Sequence, residues 1–219
     1  MKIHLAFLSL ALVTSGFSRE EDLSKPSTKL KRFIEDVVYV VEAGNKESYS
    51  KRWVVAPHLV VNSSDIVLKG FVEKSYADIC KDAQLGAPGE QSLTVYIGDS
   101  KELNTLASQH EKKISLQSGH CYWIRWNEDR SIKDAVVFLC VDRVSGMAAQ
   151  DVLIEDLLGS FGFAAKSREF DQTCLSMKPS LMGTLSPLDR KMISFYYTHI
   201  PPGTRKVDFR KRFDENWSK

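Results

Sequence analysis

DVLIEDLLGSFGF, residues 151–163, is the most informative segment of this 219-residue chain. Its large apolar residues recur at helical spacing and predict one buried helix face made of Ile154, Leu157, Leu158 and Phe161. Gly162 follows that face, where a glycine commonly ends a helix by adopting a positive φ. Glu155 and Asp156 lie beside the apolar face, and their simplest interpretation is a solvated helix edge.

A second helix is predicted to start within SLMGTLSPLDR, residues 180–190. Ser186 can cap it, Pro187 suits the first helical position, and Asp189 lies in the first turn, where the helix dipole favours negative charge. The prolines at 201–202 end the pattern. The two helices are therefore joined by a linker that contains a methionine and a glycine.

The rest of the chain alternates between helical and extended patterns. Pro57 interrupts one strand pattern and indicates an edge strand or a bulge, and Ser64 can cap the helix that follows. The predicted order is helix, strand, helix, strand, helix, strand, strand, helix, helix. This order is typical of a single α+β domain with a mixed sheet and helices packed on it. The predicted elements that precede residue 151 are helix 29–41, strand 52–61, helix 65–84, strand 92–97, a short helix capped at 99 or 100, and strands 121–126 and 134–140 around a turn at 127–130.

This order of helix, glycine, linker, Ser-x-Met, Leu-Ser-x-x-Asp and helix resembles the C-terminal half of metzincin-type zinc proteases. It resembles more closely an uncharacterised secreted family that looks like a degenerate relative of them, with Glu-Glu-x-x-Gln-x-x-Gly in place of His-Glu-x-x-His-x-x-Gly. With Gly162 as the glycine of the motif, the first ligand position falls on Glu155 and the catalytic base on Asp156. The second ligand position falls on Gly159 and the third near Ala165.

The resemblance implies a zincin-like domain over residues 29–204, with Met182 in a Met-turn. A core methionine that fills a gap is the other interpretation of Met182. Catalytic zinc needs three protein ligands and an open position for water. Gly159 and Ala165 have no side-chain ligand atoms, so we expect no metal and no cofactor.

Three functions remain open. The first is a pseudo-protease, a non-catalytic protein that binds a protein or peptide in the cleft that corresponds to the active site of the proteases. The second is an active secreted hydrolase or metalloprotease-like enzyme, in which Glu155 and Asp156 form an acid/base pair or hold a hard cation such as Ca²⁺. The third is an interaction domain unrelated to proteases. We expect the first, because the ligand positions are not filled by histidine.

The chain begins like a secreted protein. Residues 1–18 combine a positive end, an apolar run and small residues, which predicts a signal peptide. Residues 19–28 are polar and predict a flexible lead-in, and no later apolar stretch is long enough to span a membrane. The protein is therefore expected to be extracellular, or periplasmic in a bacterium. In a eukaryote, the sequons at Asn62 and Asn216 would make it a glycoprotein.

Four cysteines follow the predicted signal peptide, which favours two disulfides. Cys121 and Cys140 lie on the two strands on either side of the predicted hairpin turn and are expected to face each other. That leaves Cys80 to pair with Cys174. The alternative is Cys121 with Cys174, because a one-residue change of register separates the hairpin pair.

The charge balance and the remaining motifs argue against several classes of partner and site. Lys and Arg number 30 against 28 Asp and Glu, which argues against nucleic acid as a general partner. No two histidines have helical ligand spacing, and His120 is expected to be an ordinary strand residue rather than a catalytic base. The tail, residues 205–219, is basic and carries three aromatic residues at four-residue spacing. We expect these aromatics to pack on the core. The alternative is an amphipathic helix that meets an acidic surface or a membrane.

Overall fold

A computed structural model describes residues 22–40, 47–110, 114–178 and 183–218. Within these ranges the chain forms six helices and a four-stranded mixed sheet, which confirms the α+β class. The predicted signal peptide and Met182 lie outside the described residues. None of the described helices is long and apolar enough to cross a membrane. The elements are α1 (Thr28–Val38), β1 (Ala56–Asn62), α2 (Ile66–Asp82), β2 (Pro88–Gly98), α3 (Ser100–His110), β3 (His120–Trp126), β4 (Ile132–Cys140), α4 (Gly146–Ser160), α5 (Pro187–His199) and α6 (Lys206–Asn216).

The sheet has the strand order β1-β2-β4-β3. β1, β2 and β4 are parallel, whereas β3 is antiparallel to β4 and forms one edge. Helices α2 and α4 cover one face of the sheet, and α3 covers the other. Consequently β4 is buried on both faces, and α4 lies directly beneath the edge strand β3.

The predicted apolar face of α4 is confirmed, because Ile154, Leu157, Leu158 and Phe161 are all buried. The helix starts earlier than expected, at Gly146. The prediction that the two carboxylates lie on a solvated helix edge is wrong for Asp156, because only 3% of this residue is exposed. α4 is enclosed by the sheet on one side and by other helices around it, so a carboxylate beside the apolar face is buried as well.

Two local predictions at the start of the sheet had different outcomes. Pro57 lies in an edge strand with a change of register between Ala56 and His58, as its pattern indicated. The cap of α2 is Asp65 and not Ser64, because the Asp65 carboxylate accepts hydrogen bonds from the Val67 and Leu68 amides at 2.9 and 3.0 Å. A carboxylate one residue further along the chain thus replaces the expected hydroxyl.

The tail forms α6, and the expectation that its aromatics pack on the core is confirmed. Phe209, Phe213 and Trp217 are buried around Phe195 of α5. The buried Glu35 of α1 accepts two hydrogen bonds from the Arg210 guanidinium, at 2.7 and 3.0 Å. Part of the positive charge of this helix therefore fixes α6 to α1.

Candidate functional site

The aromatic ring of Tyr122 fills the space beside the second predicted ligand position. A Cβ atom built on Gly159 of α4 would lie 2.4 Å from the Cε1 atom of Tyr122, well inside van der Waals contact. The Tyr122 hydroxyl donates a hydrogen bond of 3.0 Å to the Ala164 carbonyl oxygen. The ring therefore extends from Gly159 to the segment that contains Ala165, the region of the third predicted ligand position. Only a glycine at position 159 allows this packing.

The two predicted catalytic carboxylates each have a basic partner. Glu155 forms a salt bridge of 2.7 Å with Lys166, and both side chains are partly exposed. Asp156 is buried, and its Oδ2 atom lies 3.0 Å from the Nδ1 atom of His120 at the start of β3. In the described part of the chain, no group of three His, Cys, Asp or Glu side chains could hold a metal ion.

His120 and Asp156 form a hydrogen-bonded pair in which the pKa of each group lies above its usual value. Burial raises the pKa of Asp156 to about 6, although the hydrogen bond from His120 acts in the opposite direction. The hydrogen bond to Asp156 raises the pKa of His120 above its usual value, against the effect of burial. The His120 side chain remains 25% exposed. The pair thus presents a histidine ring, oriented by a buried carboxylate, at the beginning of the edge strand.

We expect this pair to stabilise the fold more at low pH than at high pH. The contribution of Asp156 is present below pH 3.8 and is lost as the pH rises to about 6, because the folded state binds the proton more tightly. That of His120 is present below pH 6.5 and is lost as the pH rises through its raised pKa. The free energy of unfolding of the wild type, relative to the double variant His120→Gln/Asp156→Asn, should fall by on the order of 2 kcal/mol between about pH 4 and pH 8. Urea unfolding at several pH values measures this difference. A difference that is constant or rises with pH would contradict the assignment.

Among the described residues, no strand covers the backbone groups along the outer edge of β3. The Cys140 amide donates to the Gly119 carbonyl at 2.7 Å, so hydrogen-bonded pairs with β4 recur at 121, 123 and 125. The N–H and C=O groups of Tyr122 and Ile124 therefore point away from β4. Among the described residues, no backbone hydrogen bond from outside the sheet reaches these groups. The outward carbonyl of His120 already accepts a hydrogen bond of 2.8 Å from Ser118.

A groove of about 550 Å³ runs beside this edge. Tyr122 and Ile124 contribute to its lining from β3, and the opposite wall comes from segments that precede β1 and follow α4. The lining is mostly aromatic and aliphatic, with cationic side chains. Six of the residues that line it are Val40, Lys51, Tyr122, Ile124, Trp126 and Ala164. An exposed strand edge and an apolar groove thus lie side by side.

The structure contains neither predicted disulfide, and all four cysteines are free thiols. The expectation that Cys121 faces Cys140 is wrong, because the hairpin register places Cys121 opposite Phe138. Cys121 packs against the α3 side of the sheet, opposite to the face of Tyr122. Burial raises the pKa of its thiol to about 12, so Cys121 is not an activated nucleophile for the neighbouring His120.

Cys80 and Cys174 lie in different environments. Cys80 is buried in α2, and burial raises the pKa of its thiol to about 11. The Cys174 thiol donates to the Thr184 carbonyl at 3.3 Å.

The remaining predicted positions are distributed around the fold. Met182 lies outside the described residues, but the amide of the following Gly183 donates to the Asp151 carboxylate of α4 at 2.7 Å. Asn62 is exposed at the end of β1. Asn216 ends α6, and its side-chain amide donates to the Arg212 carbonyl at 2.9 Å. Glycosylation at either asparagine stays a prediction.

Sequence reasoning missed the residues that define the groove. The interpretation of His120 as an ordinary strand residue overlooked its bond to Asp156. Tyr122 and Ile124 occur two residues apart, so strand alternation could have placed both on one face. No sequence pattern indicated Lys51, because it lies in an irregular segment and reaches the groove only through the tertiary fold.

Comparison of the chain with protein-family models, curated proteins and solved structures finds no match. The described chain is a mixed α+β domain with an open antiparallel strand edge beside an apolar groove. The helix that carries Glu155 and Asp156 lies beneath that edge.

Proposed function

We propose that this protein is a zincin-like, non-catalytic binding domain that holds an extended peptide along the outer edge of β3. The observation that carries the proposal is the open edge at Tyr122 and Ile124 beside a groove of about 550 Å³. Secretion, predicted from residues 1–18, belongs to the same proposal. The partner would be a protein or peptide segment without regular structure of its own.

The arrangement of α4 and β3 supports the zincin-like part of the proposal. In the resemblance described above, the helix with the active-site motif ends at Gly162. Here α4 ends at Ser160, two residues before a positive φ of 101° at Gly162, and α4 packs beneath the antiparallel edge strand. A capped helix that begins at Pro187 then follows the linker, as the resemblance implies.

The packing around Gly159 supports a role without catalysis. A zinc hydrolase needs three ligand side chains and an open coordination position for water. Here one ligand position holds Glu155, which is paired with Lys166, and another holds a glycine covered by the Tyr122 ring. The side chains present at these positions supply one carboxylate, and the adjacent space contains an aromatic ring.

Strand addition explains how such a surface would bind. An extended peptide that pairs with an exposed sheet edge gains main-chain hydrogen bonds, and its alternate side chains enter pockets beside the edge. The N–H and C=O groups of Tyr122 and Ile124 offer two donors and two acceptors to such a peptide. The aromatic groove would then receive every second side chain.

Peptides selected from a displayed random library, measured by fluorescence anisotropy, would test this proposal. We expect N-methylation of a selected peptide to weaken binding at every second residue, because only alternate amides point toward β3. Mass spectrometry should recover the bound peptide intact after prolonged incubation. Equal effects of N-methylation at all positions would contradict strand addition, and cleavage of the peptide would contradict the non-catalytic role.

The His120–Asp156 pair favours one alternative, an active hydrolase. A buried carboxylate that orients a partly exposed histidine is the usual support of a general base. In this alternative Asp156 acts through His120, and Glu155 remains paired with Lys166. A selected peptide that is cleaved by the wild type and left intact by His120→Gln would establish it.

A further inference from the structure

The groove beside β3 is bounded by apolar side chains that remain partly open to solvent. Tyr122, Ile124 and Trp126 line it from the strand, and Val40 and Ala164 line it from the other side. Val40 is 39% exposed although it borders a concave surface. A concave apolar surface in contact with water is a typical place for a ligand. We propose that the groove selects peptides with aliphatic side chains at alternate positions and polar side chains between them, an inference that rests on the function proposed above.

Two polar groups of this lining are engaged within the protein. The Tyr122 hydroxyl donates its hydrogen bond to the Ala164 carbonyl oxygen at 3.0 Å. The Lys51 Nζ atom lies 4.1 Å from the centroid of the Trp126 ring, close enough for a cation–π interaction. A polar side chain of a ligand would therefore exchange its water for a surface made mainly of carbon, which is unfavourable. An aliphatic side chain would instead gain from the removal of its surface from water.

The other face of β3 suits the polar side chains of such a peptide. Trp123 and Arg125 also border the groove, but strand alternation directs their side chains toward the α3 side of the sheet, where Trp123 packs. The Arg125 side chain is 59% exposed, and it donates to the Asp134 carboxylate at distances from 2.7 to 3.0 Å. Peptide side chains on this face would lie beside a solvated ion pair, where an aliphatic group gains little. The two faces of a bound strand thus have different surroundings.

The spacing along β3 matches an alternating peptide. Side chains on one face of an extended chain recur about every 6.6 Å, which is twice the rise of about 3.3 Å per residue. Tyr122 and Ile124 follow the same repeat, so a paired peptide places one side chain beside each of them. The groove volume of about 550 Å³ lies within the range of ligand pockets in proteins, about 300 to 1,000 Å³. The groove can therefore receive more than one aliphatic side chain of the same peptide.

Three labelled peptides with blocked ends, measured by fluorescence anisotropy, provide the test. Each has about eight residues between terminal lysines that keep it soluble. The alternating peptide repeats Thr-Val, the paired peptide has the same composition but repeats Val-Val-Thr-Thr, and the threonine peptide contains no valine. Valine and threonine are both β-branched and favour strands, so differences in affinity report apolar burial. We expect the alternating peptide to bind about fivefold more tightly than the paired peptide and about twenty-fivefold more tightly than the threonine peptide.

A substitution in the wall of the groove connects this preference to the structure. Val40→Thr keeps the shape of the side chain and replaces a methyl group with a hydroxyl. We expect it to weaken binding of the alternating peptide by about threefold and to leave the threonine peptide nearly unaffected. Val60→Thr is the matched control, because Val60 is similarly exposed, at 37%, and lies on β1 at the opposite edge of the sheet. This control should bind all three peptides as the wild type does.

The outcomes separate the inference from the proposed function. Equal affinity for the alternating and paired peptides would overturn the alternating apolar preference and leave strand addition in place. Failure of all three peptides to bind would contradict the proposed function and the inference together. A preference that is unchanged in Val40→Thr, with the variant folded by circular dichroism, would show that the groove does not select the ligand.

Discussion

Gly162→Ala is expected to destabilise the protein by about 3 to 5 kcal/mol, enough to unfold a marginally stable domain. Gly162 has a φ of 101°, which L side chains rarely adopt, and a Cβ atom there would lie 1.9 Å from the Lys51 carbonyl oxygen. The clash is with backbone, which a side-chain rotation cannot relieve. The Lys51 carbonyl is further fixed by the Tyr196 hydroxyl, which donates a hydrogen bond of 3.0 Å to the same oxygen.

Gly70→Ala is the matched control for this prediction. No atom lies within 4 Å of a Cβ built on Gly70, which is in the middle of α2 and exposed. Alanine is favoured over glycine in helices by about 1 kcal/mol, so this variant should be slightly more stable than the wild type. Urea unfolding of both variants measures the contrast. A loss below about 1 kcal/mol in Gly162→Ala would mean that the turn after α4 adapts easily, contrary to the structure.

Asp189→Ala is expected to cost about 3 kcal/mol or more, because it leaves several buried donors without an acceptor. Asp189 is fully buried in the first turn of α5. Its carboxylate accepts from the Ser186 amide and hydroxyl at 2.9 and 2.7 Å, from the Cys174 amide at 3.1 Å, and from the Thr173 hydroxyl. One side chain therefore caps α5 and also fixes the linker that follows α4.

Asp65→Ala provides the comparison, since Asp65 also caps a helix but is exposed. Loss of an exposed cap typically costs about 1 kcal/mol. Thermal and urea unfolding of both variants should rank Asp189→Ala well below Asp65→Ala in stability. Similar losses in the two variants would show that the buried contacts to residues 173–174 add nothing to the cap.

Local patterns in the sequence were sufficient to predict the helices around the site. The apolar face of α4 and the Ser186–Asp189 cap depend on residues within a few positions of one another, and both are confirmed. Asp156 is buried, and its carboxylate bonds to His120, which is 36 residues away in the chain. A helical pattern cannot show that a second partner arrives from an edge strand. The sequence therefore located the helix but misjudged the environment of its carboxylate.

The hairpin shows a different limit. The sequence predicted that Cys121 faces Cys140 across the hairpin, but the observed partner of Cys121 is Phe138. A bulge between Arg125 and Trp126, close to the turn, shifts the register by one residue. Even with that shift the partner of Cys121 falls short of Cys140, because Cys140 lies farther from the turn than Cys121 does. The exposed edge of β3 was likewise unpredictable, because strand order is set by the tertiary fold and not by the pattern of any one strand.

Amide hydrogen exchange of β3, measured by NMR with and without a selected peptide, tests strand addition most directly. We predict that the peptide slows exchange at the outward amides of Tyr122 and Ile124. The amides of Cys121 and Trp123 should change little, because they already donate to β4. This alternating protection would support a peptide paired with the edge. A peptide that binds tightly and leaves Tyr122 and Ile124 exchanging as fast as before would contradict it.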